Sequence, residues 1–113
     1  MATRPVSVGL NLVADTLTTV YTVPVGYFAK WNLMYLFNGT GSTKHATVYW
    51  TDSSTSTDIY VLNQNTVTSK EYLRIDGGAY VVMEEGDTVK MRTEAGSTFS
   101  VICTFELIKK EGI

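Results

Sequence analysis

The sequence predicts an all-β protein, an antiparallel β-sandwich of jelly-roll-like type with about eight or nine strands. Three observations predict it: apolar residues alternate with period two, turn residues recur roughly every ten residues, and no segment shows helical periodicity. Thr, Val and Tyr are frequent, and such side chains suit a pleated, half-buried surface. The 113 residues fit one domain, spanning 1–113, that can bury a core without needing a disulfide.

Each predicted strand is an alternating run bounded by turn residues. The longest run, Tyr27–Asn38, ends in an Asn-Gly dipeptide, which predicts a hairpin with the next strand. Residues 1–14 allow two interpretations, a first strand of the domain or an N-terminal arm that reaches a neighbour. The other expected strands are Val6–Val13, Leu17–Val23, Lys44–Thr51, Ile59–Leu62, Thr66–Ile75, Ala79–Met83, Thr88–Thr93 and a closing strand with its apolar face from Phe99 to Leu107.

The strand from Tyr27 to Asn38 is apolar on both faces. Its odd positions are all apolar, which predicts the core-facing side, but three even positions are apolar as well. The closing strand repeats this on its own even face. Exposed apolar patches commonly mark association sites, so we predict a homo-oligomer interface here; coverage by loops or by the opposing edge of the domain is the alternative. The predicted interface residues are Phe28, Met34, Leu36, Ile102 and Ile108.

No residue pattern indicates a catalytic centre, a metal or a cofactor. His45 is the single histidine and opens a strand beside a Thr-rich turn, which favours a solvent-exposed strand residue over a triad base. Cys103 is the single cysteine and lies on an apolar strand face, which predicts a buried, unreactive thiol. The Asp52–Asp58 loop offers only two carboxylates, few for a Ca²⁺ site. We predict that the protein is not an enzyme.

Charge and hydropathy restrict the partners. The net charge is −2 and the basic residues are scattered, whereas a nucleic-acid-binding surface needs a basic face. The first residues lack the apolar run of a signal peptide, and no stretch approaches the roughly 20 apolar residues of a membrane span. We therefore expect no nucleic-acid or membrane partner and synthesis in a cytoplasm.

Aromatic residues leave one binding function open. Tyr49 and Tyr60 lie where the pattern allows exposure, close to the polar Asp52–Asp58 loop. Aromatic rings with a polar tip suit surfaces that are partly apolar and partly wet, such as one that binds a sugar. Packing in the core or in an interface remains the alternative explanation for these tyrosines.

Several stretches resemble small structural proteins of tailed bacteriophages. Thr19–Gly26 reads TVYTVPVG and resembles the T-x-Y-T-V-P-x-G opening of such proteins. Val48–Asp52, Gly77–Val89 and a closing strand through Phe105–Leu107 fit the same layout. The match extends from about Thr19 to Leu107, and the chain is most similar to virion proteins of short-tailed, T7-like phages of marine cyanobacteria.

The resemblance implies a virion protein without enzymatic activity. We expect a capsid decoration or cement protein, made in the host bacterial cytoplasm, that forms a homo-oligomer, with a trimer as the expected state. Its partners would be the major capsid protein or other virion proteins. The alternative is a tail or fibre accessory module that recognises host-surface glycans; the absence of a collagen-like or coiled-coil stalk favours the capsid.

Overall fold

The protein is a β-sandwich of two antiparallel sheets, which confirms the predicted fold class. The computed structural model describes residues 3–76 and 81–110, and within these ranges it contains nine strands and no helix. In particular, the described residues include no helix long and apolar enough to cross a bilayer. The strands are β1 (Thr3–Leu12), β2 (Thr18–Thr22), β3 (Tyr27–Asn38), β4 (Lys44–Asp52), β5 (Thr57–Val67), β6 (Tyr72–Ile75), β7 (Val81–Met83), β8 (Thr88–Thr93) and β9 (Phe99–Lys109).

Consecutive strands alternate between the two sheets over much of the chain. Sheet A has the order β1-β9-β3-β6, with β7 also paired to β3, and sheet B has the order β2-β8-β4-β5. The N-terminal segment is therefore a strand here, since β1 pairs with β9 from Thr3, opposite Ile108, to Leu12, opposite Phe99. The predicted hairpin between β3 and β4 is wrong, because the two strands belong to different sheets.

Asn38 explains why the chain leaves sheet A instead of turning back. Its side chain is fully buried, and its Nδ2 donates to the carbonyl oxygens of Ser42 (3.0 Å) and Val67 (2.8 Å). Its Oδ1 accepts from the Thr40 N–H (2.9 Å). Because Val67 ends β5 of sheet B, these bonds fix the crossover between the sheets.

The core lies between the sheets and is built from alternate residues of each strand. The central ring is Phe105, which stacks on Tyr21 and Trp31 at centroid distances of 4.4 and 6.1 Å. Burying a side chain of this size stabilises the fold by about 1.5–3 kcal/mol. Other fully buried members are Val23, Val48, Met83, Val89, Met91, Phe99, Val101 and Leu107.

A β-bulge in β3 exchanges its two faces. Trp31 lies opposite Phe105, but Leu33 lies opposite Thr104, so Asn32 is the extra residue. The Trp31 indole N–H donates to the Leu33 carbonyl across the bulge (3.1 Å). One extra residue in a period-two strand sends every later side chain to the opposite face. Beyond the bulge the even positions therefore face the core, against the predicted alternation.

Two of the predicted interface residues are core residues for this reason. Met34 is 2% and Leu36 0% exposed, so the prediction that they form an outer surface is wrong. The predicted core positions Leu33, Tyr35 and Phe37 are instead only half-buried, on the outside of sheet A. The strand is apolar on both faces, as predicted, but the outward set is different.

Two further strand predictions change at their boundaries. β5 extends to Val67, beyond the predicted Ile59–Leu62, and the predicted strand Thr66–Ile75 is interrupted by a turn in which the Glu71 N–H donates to the Thr68 carbonyl. Of the predicted strand Ala79–Met83, the part Val81–Met83 is seen as β7, while residues 77–80 lie outside the described residues.

A buried carboxylate, Asp87, joins three connections of the sandwich. Its Oδ1 accepts from the Ser53 N–H (2.9 Å) and hydroxyl (2.8 Å), and its Oδ2 from the Glu84 N–H (3.0 Å) and the Trp50 indole (3.2 Å). Its carbonyl accepts from the Val23 N–H (3.0 Å). Burial by itself raises the pKa of Asp87, but the hydrogen bonds from Ser53, Glu84 and Trp50 outweigh it and hold the pKa below its ordinary value.

Candidate functional site

The outside of sheet A carries a contiguous apolar surface, which we call the outer apolar face. Ile102 lies opposite Tyr35, and Tyr72 lies opposite Phe37 on the next strand. The Tyr35 and Tyr72 rings stack with centroids 4.9 Å apart. Ile102 is 45% and Tyr72 55% exposed. The members of the outer apolar face are Leu33, Tyr35, Phe37, Tyr72 and Ile102.

Beside this face runs a shallow groove where β1 lacks a side chain. Gly9 lies opposite Ile102, and the groove that it opens, of about 230 Å³, is bounded by Asn11 and Ser100. Ile102 therefore projects next to a depression. A projection beside a depression is a shape that a second protein surface can fill with close packing.

Phe28 and Ile108, the other predicted interface residues, lie at the far end of the same sheet. They are directly opposite each other, Phe28 half-buried and Ile108 buried. The ion pair of Lys30 and Glu106 (3.9 Å) occupies the row between them and the outer apolar face. Of the five predicted interface residues, Ile102 alone lies in the exposed patch. Leu33, Tyr35, Phe37 and Tyr72 were missed as interface candidates.

The outside of sheet B is polar and contains a groove of about 430 Å³, which we call the polar groove. Its floor comes from β4 and β8, and its walls from Asn63 and Gln64 of β5 and from Asp15. The β5 wall lies where the register between β4 and β5 shifts and where Gln64 has a left-handed backbone (φ 48°). The Gln64 N–H donates to the Thr47 hydroxyl (3.0 Å). Asp15 has a left-handed backbone as well (φ 53°).

The two tyrosines proposed for sugar binding line this groove together. Tyr49 lies opposite Tyr60, with ring centroids 5.0 Å apart and planes tilted by 32°. Tyr60 is 57% exposed, and Tyr49 is half-buried beneath it. The hydrogen bond to Tyr60 and partial burial raise the pKa of the Tyr49 hydroxyl. The Tyr49 hydroxyl therefore stays neutral at ordinary pH.

The Asp52–Asp58 loop satisfies its own carboxylates. Asp52 accepts from the Ser54 N–H (3.1 Å) and hydroxyl (2.7 Å), while Asp58 accepts from the Thr51 hydroxyl (2.6 Å) and lies 4.0 Å from the Lys90 ammonium. Over residues 3–76 and 81–110, no group of three or more His, Cys, Asp and Glu side chains is placed to hold a metal ion. Both carboxylates of the loop are therefore engaged in contacts within the loop and with β4 and β8.

His45 is half-buried at the edge of the polar groove, rather than fully exposed as predicted. Its Nε2 lies 3.6 Å from Glu94 Oε1, and its backbone N–H donates to the same oxygen (3.0 Å). That backbone hydrogen bond and the charges of Lys44 and His45 hold the pKa of Glu94 below its ordinary value, against an opposing effect of burial. The nearest acidic partner of the imidazole is thus committed to structural contacts.

Cys103 is buried in the core, as predicted, and burial raises the pKa of its thiol to about 12. A thiol needs access and ionisation to react with a disulfide. We expect a thiol-reactive disulfide reagent at pH 8 to leave the native protein unlabelled and to label one thiol after unfolding in guanidinium. Labelling of the native chain at the unfolded rate would contradict the placement of this residue.

The comparisons with known proteins identify a fold but no family. No family model matches the sequence, and no curated protein matches it. A subunit from the work "Bacillus endospore appendages form a novel family of disulfide-linked pili" is 17% identical with a TM-score of 0.55, covering 96% of this chain and 87% of its own. A chain of the cyanophage Pam1 capsid asymmetric unit is 15% identical with a TM-score of 0.52, covering 96% and 85%.

A third structure, Eiger TNF from S. frugiperda, is 14% identical and covers 97% of this chain and 96% of its own. Its TM-score of 0.43 is too low to support an argument. At such identities the first two likenesses establish a shared β-sandwich fold over nearly the whole chain, and the fold by itself does not fix a function.

Proposed function

We propose that this chain is a non-enzymatic structural protein of a phage virion, a capsid decoration or cement protein that self-associates through its outer apolar face. The observation that carries the proposal is that face, where aromatic and aliphatic side chains form one patch outside a sheet. A sheet face left partly apolar and exposed is costly in water, and its removal from water stabilises an assembly.

The composition of the outer apolar face fits a protein interface. Tyr, Phe and aliphatic side chains are typical of interface centres, and charged residues are depleted there. Charged side chains lie at its margins, the Lys30–Glu106 pair at one end and Arg74, opposite Tyr35 and paired with Asp76 (3.2 Å), along β6, where a polar rim is expected. We propose a homo-oligomer with a trimer as the expected state. A permanent contact of this kind buries more than about 2,000 Å².

The fold and the comparisons support a place in a particle. With β6 and β7 taken as one interrupted strand along β3, the order β1-β9-β3-β6 beside β2-β8-β4-β5 supports the jelly-roll-like classification, an arrangement frequent in viral capsid domains. The pilus and capsid structures named above, with TM-scores of 0.55 and 0.52, are both parts of large assemblies. The major capsid protein is the partner that we propose.

Assembly of this chain would be non-covalent. The pili named above are disulfide-linked, whereas the single cysteine here is buried in the core. Surface burial and hydrogen bonds must then supply all of the free energy of association. Most of it would come from burial of the outer apolar face.

The place in the virion is tested on particles of the phage that encodes the chain. Heads and tails are separated, and the chain is quantified in each fraction by mass spectrometry against the major capsid protein. We expect it in heads, in a copy number comparable with that of the capsid subunit. Its presence in tails alone would overturn the capsid assignment, and its absence from purified particles would overturn the virion assignment.

A further inference from the structure

We propose that the polar groove of sheet B binds a neutral saccharide, on the side of the sandwich opposite to the outer apolar face. This inference goes beyond the assembly function and uses different residues. The polar groove has a volume of about 430 Å³, which lies within the usual range for small-molecule sites.

The charges of the groove favour a neutral ligand over an ionic one. The Arg92 guanidinium donates from Nε (3.2 Å) and Nη2 (2.9 Å) to Asp15 Oδ1, and Glu94 lies 3.6 Å from both Lys44 and His45. Each carboxylate therefore faces a cation, and a phosphate, sulfate or ammonium group would have to break such a pair to bind. A ligand without charge keeps these pairs intact.

The uncharged groups of the groove suit hydroxyls. A hydroxyl both donates and accepts, and the Asn63 and Gln64 amides offer both kinds of partner on exposed side chains. At the edge of the groove, His45 Nδ1 is buried and has no hydrogen-bond partner among the described residues. Buried polar atoms are nearly always paired, so the groove has hydrogen-bonding capacity beyond its own internal contacts.

The tyrosine pair supplies the apolar part that a sugar requires. Tyr60 presents an exposed ring held by Tyr49 beneath it, so little conformational freedom is lost on binding. One face of a pyranose ring carries mainly C–H groups, and such a face can pack on an aromatic ring while the hydroxyls at its edge reach the amides. The groove thus combines one aromatic platform with polar walls.

An extended peptide fits this groove less well. Peptides commonly bind a sheet by adding a strand to a free edge, but β4 and β8, which form the floor, are both internal strands of sheet B. Anchor pockets for apolar side chains are also missing, because the lining has no apolar side chain besides Ala95 and the tyrosine rings. A saccharide is therefore the occupant that the surface favours.

The test compares two tyrosines that differ in the sheet they occupy. Tyr60 and Tyr72 are 57% and 55% exposed, and each packs against a second tyrosine, at 5.0 and 4.9 Å. The purified protein is screened on an array of neutral, sialylated and sulfated glycans, and the best neutral oligosaccharide is titrated by NMR. We expect Tyr60→Ala to weaken the affinity per chain at least tenfold. Tyr72→Ala removes a ring of the outer apolar face and should lower the assembly state, but it should leave the affinity per chain within twofold.

Further measurements separate the possible results. If Tyr60→Ala does not fold, Asn63→Trp provides the second test. It fills the groove from an exposed wall position and should abolish binding. Tyr60→Ala should keep the wild-type solution mass, so that failure of the saccharide site and failure of assembly are distinguished. Binding to peptides or to charged glycans only, no binding to any neutral glycan, or equal losses in the two tyrosine variants would overturn the proposal.

Discussion

Asp87→Ala should destabilise the domain by about 4 kcal/mol, because it leaves the donors of four partly buried hydrogen bonds without their acceptor. The donors belong to the end of β4, the loop after it and the turn before β8. The midpoint of thermal unfolding should fall by on the order of 15 °C. Circular dichroism melting and urea unfolding measure both quantities.

A neighbouring acidic residue provides the control. Glu84 lies three positions earlier in the same turn with its side chain exposed, and Glu84→Ala should change stability by less than about 0.5 kcal/mol. Equal effects of the two substitutions would contradict a special role for Asp87.

The same carboxylate makes stability depend on pH. Its pKa is lowered in the folded state, so its contribution is fully present above the unfolded value of about 3.9 and is lost as the pH falls through the folded value. Wild type should therefore lose stability below about pH 4 more steeply than Asp87→Asn, which has no carboxylate to protonate there. Parallel curves for the two proteins would show that Asp87 does not titrate differently on folding.

Leu36→Asp should prevent folding altogether. Leu36 is fully buried opposite Val101 and Leu73. Loss of its packing and burial of a carboxylate together cost more than about 5 kcal/mol, comparable with the whole stability of a small domain. The simple alternation of β3 would predict instead a folded protein with a weakened interface.

Ile102→Asp is the matched control for this substitution. It introduces the same carboxylate one strand away, on the outward side of sheet A, where water can solvate it. We expect a dispersed NMR spectrum for Ile102→Asp and a collapsed spectrum for Leu36→Asp. A natively folded Leu36→Asp protein would contradict the register after the bulge.

The sequence pattern predicts the strands well because alternation is a local property. β3 and β8 begin and end where the pattern places them, and in β9 buried residues alternate with less buried ones from Phe99 to Leu107. The Tyr49–Tyr60 pair is also accessible from the sequence, since a tight Asp52–Asp58 loop brings the two residues opposite each other. The register shifts between β4 and β5 begin beyond this pair, between Tyr49 and Val48, and leave its register unchanged.

The features that the sequence pattern does not predict depend on contacts between distant parts of the chain. The bulge at Asn32 needs the pairing of β3 with β9, and a single polar residue in the strand is a weak signal for it. Asp87 looks like an ordinary turn residue until Ser53, 34 positions earlier, meets it. The outer apolar face was thus predicted to exist, on the correct strands, but with largely the wrong residues.

The solution mass of the wild type and of Ile102→Asp, by light scattering after size-exclusion chromatography, tests the central claim most directly. We expect the wild type to be an oligomer, with three chains as the expected number, and Ile102→Asp to be a folded monomer. Val25→Asp, at an 84% exposed turn position away from the outer apolar face, should keep the wild-type mass. A monomeric wild type, or an Ile102→Asp protein with unchanged mass, would contradict assembly through this face.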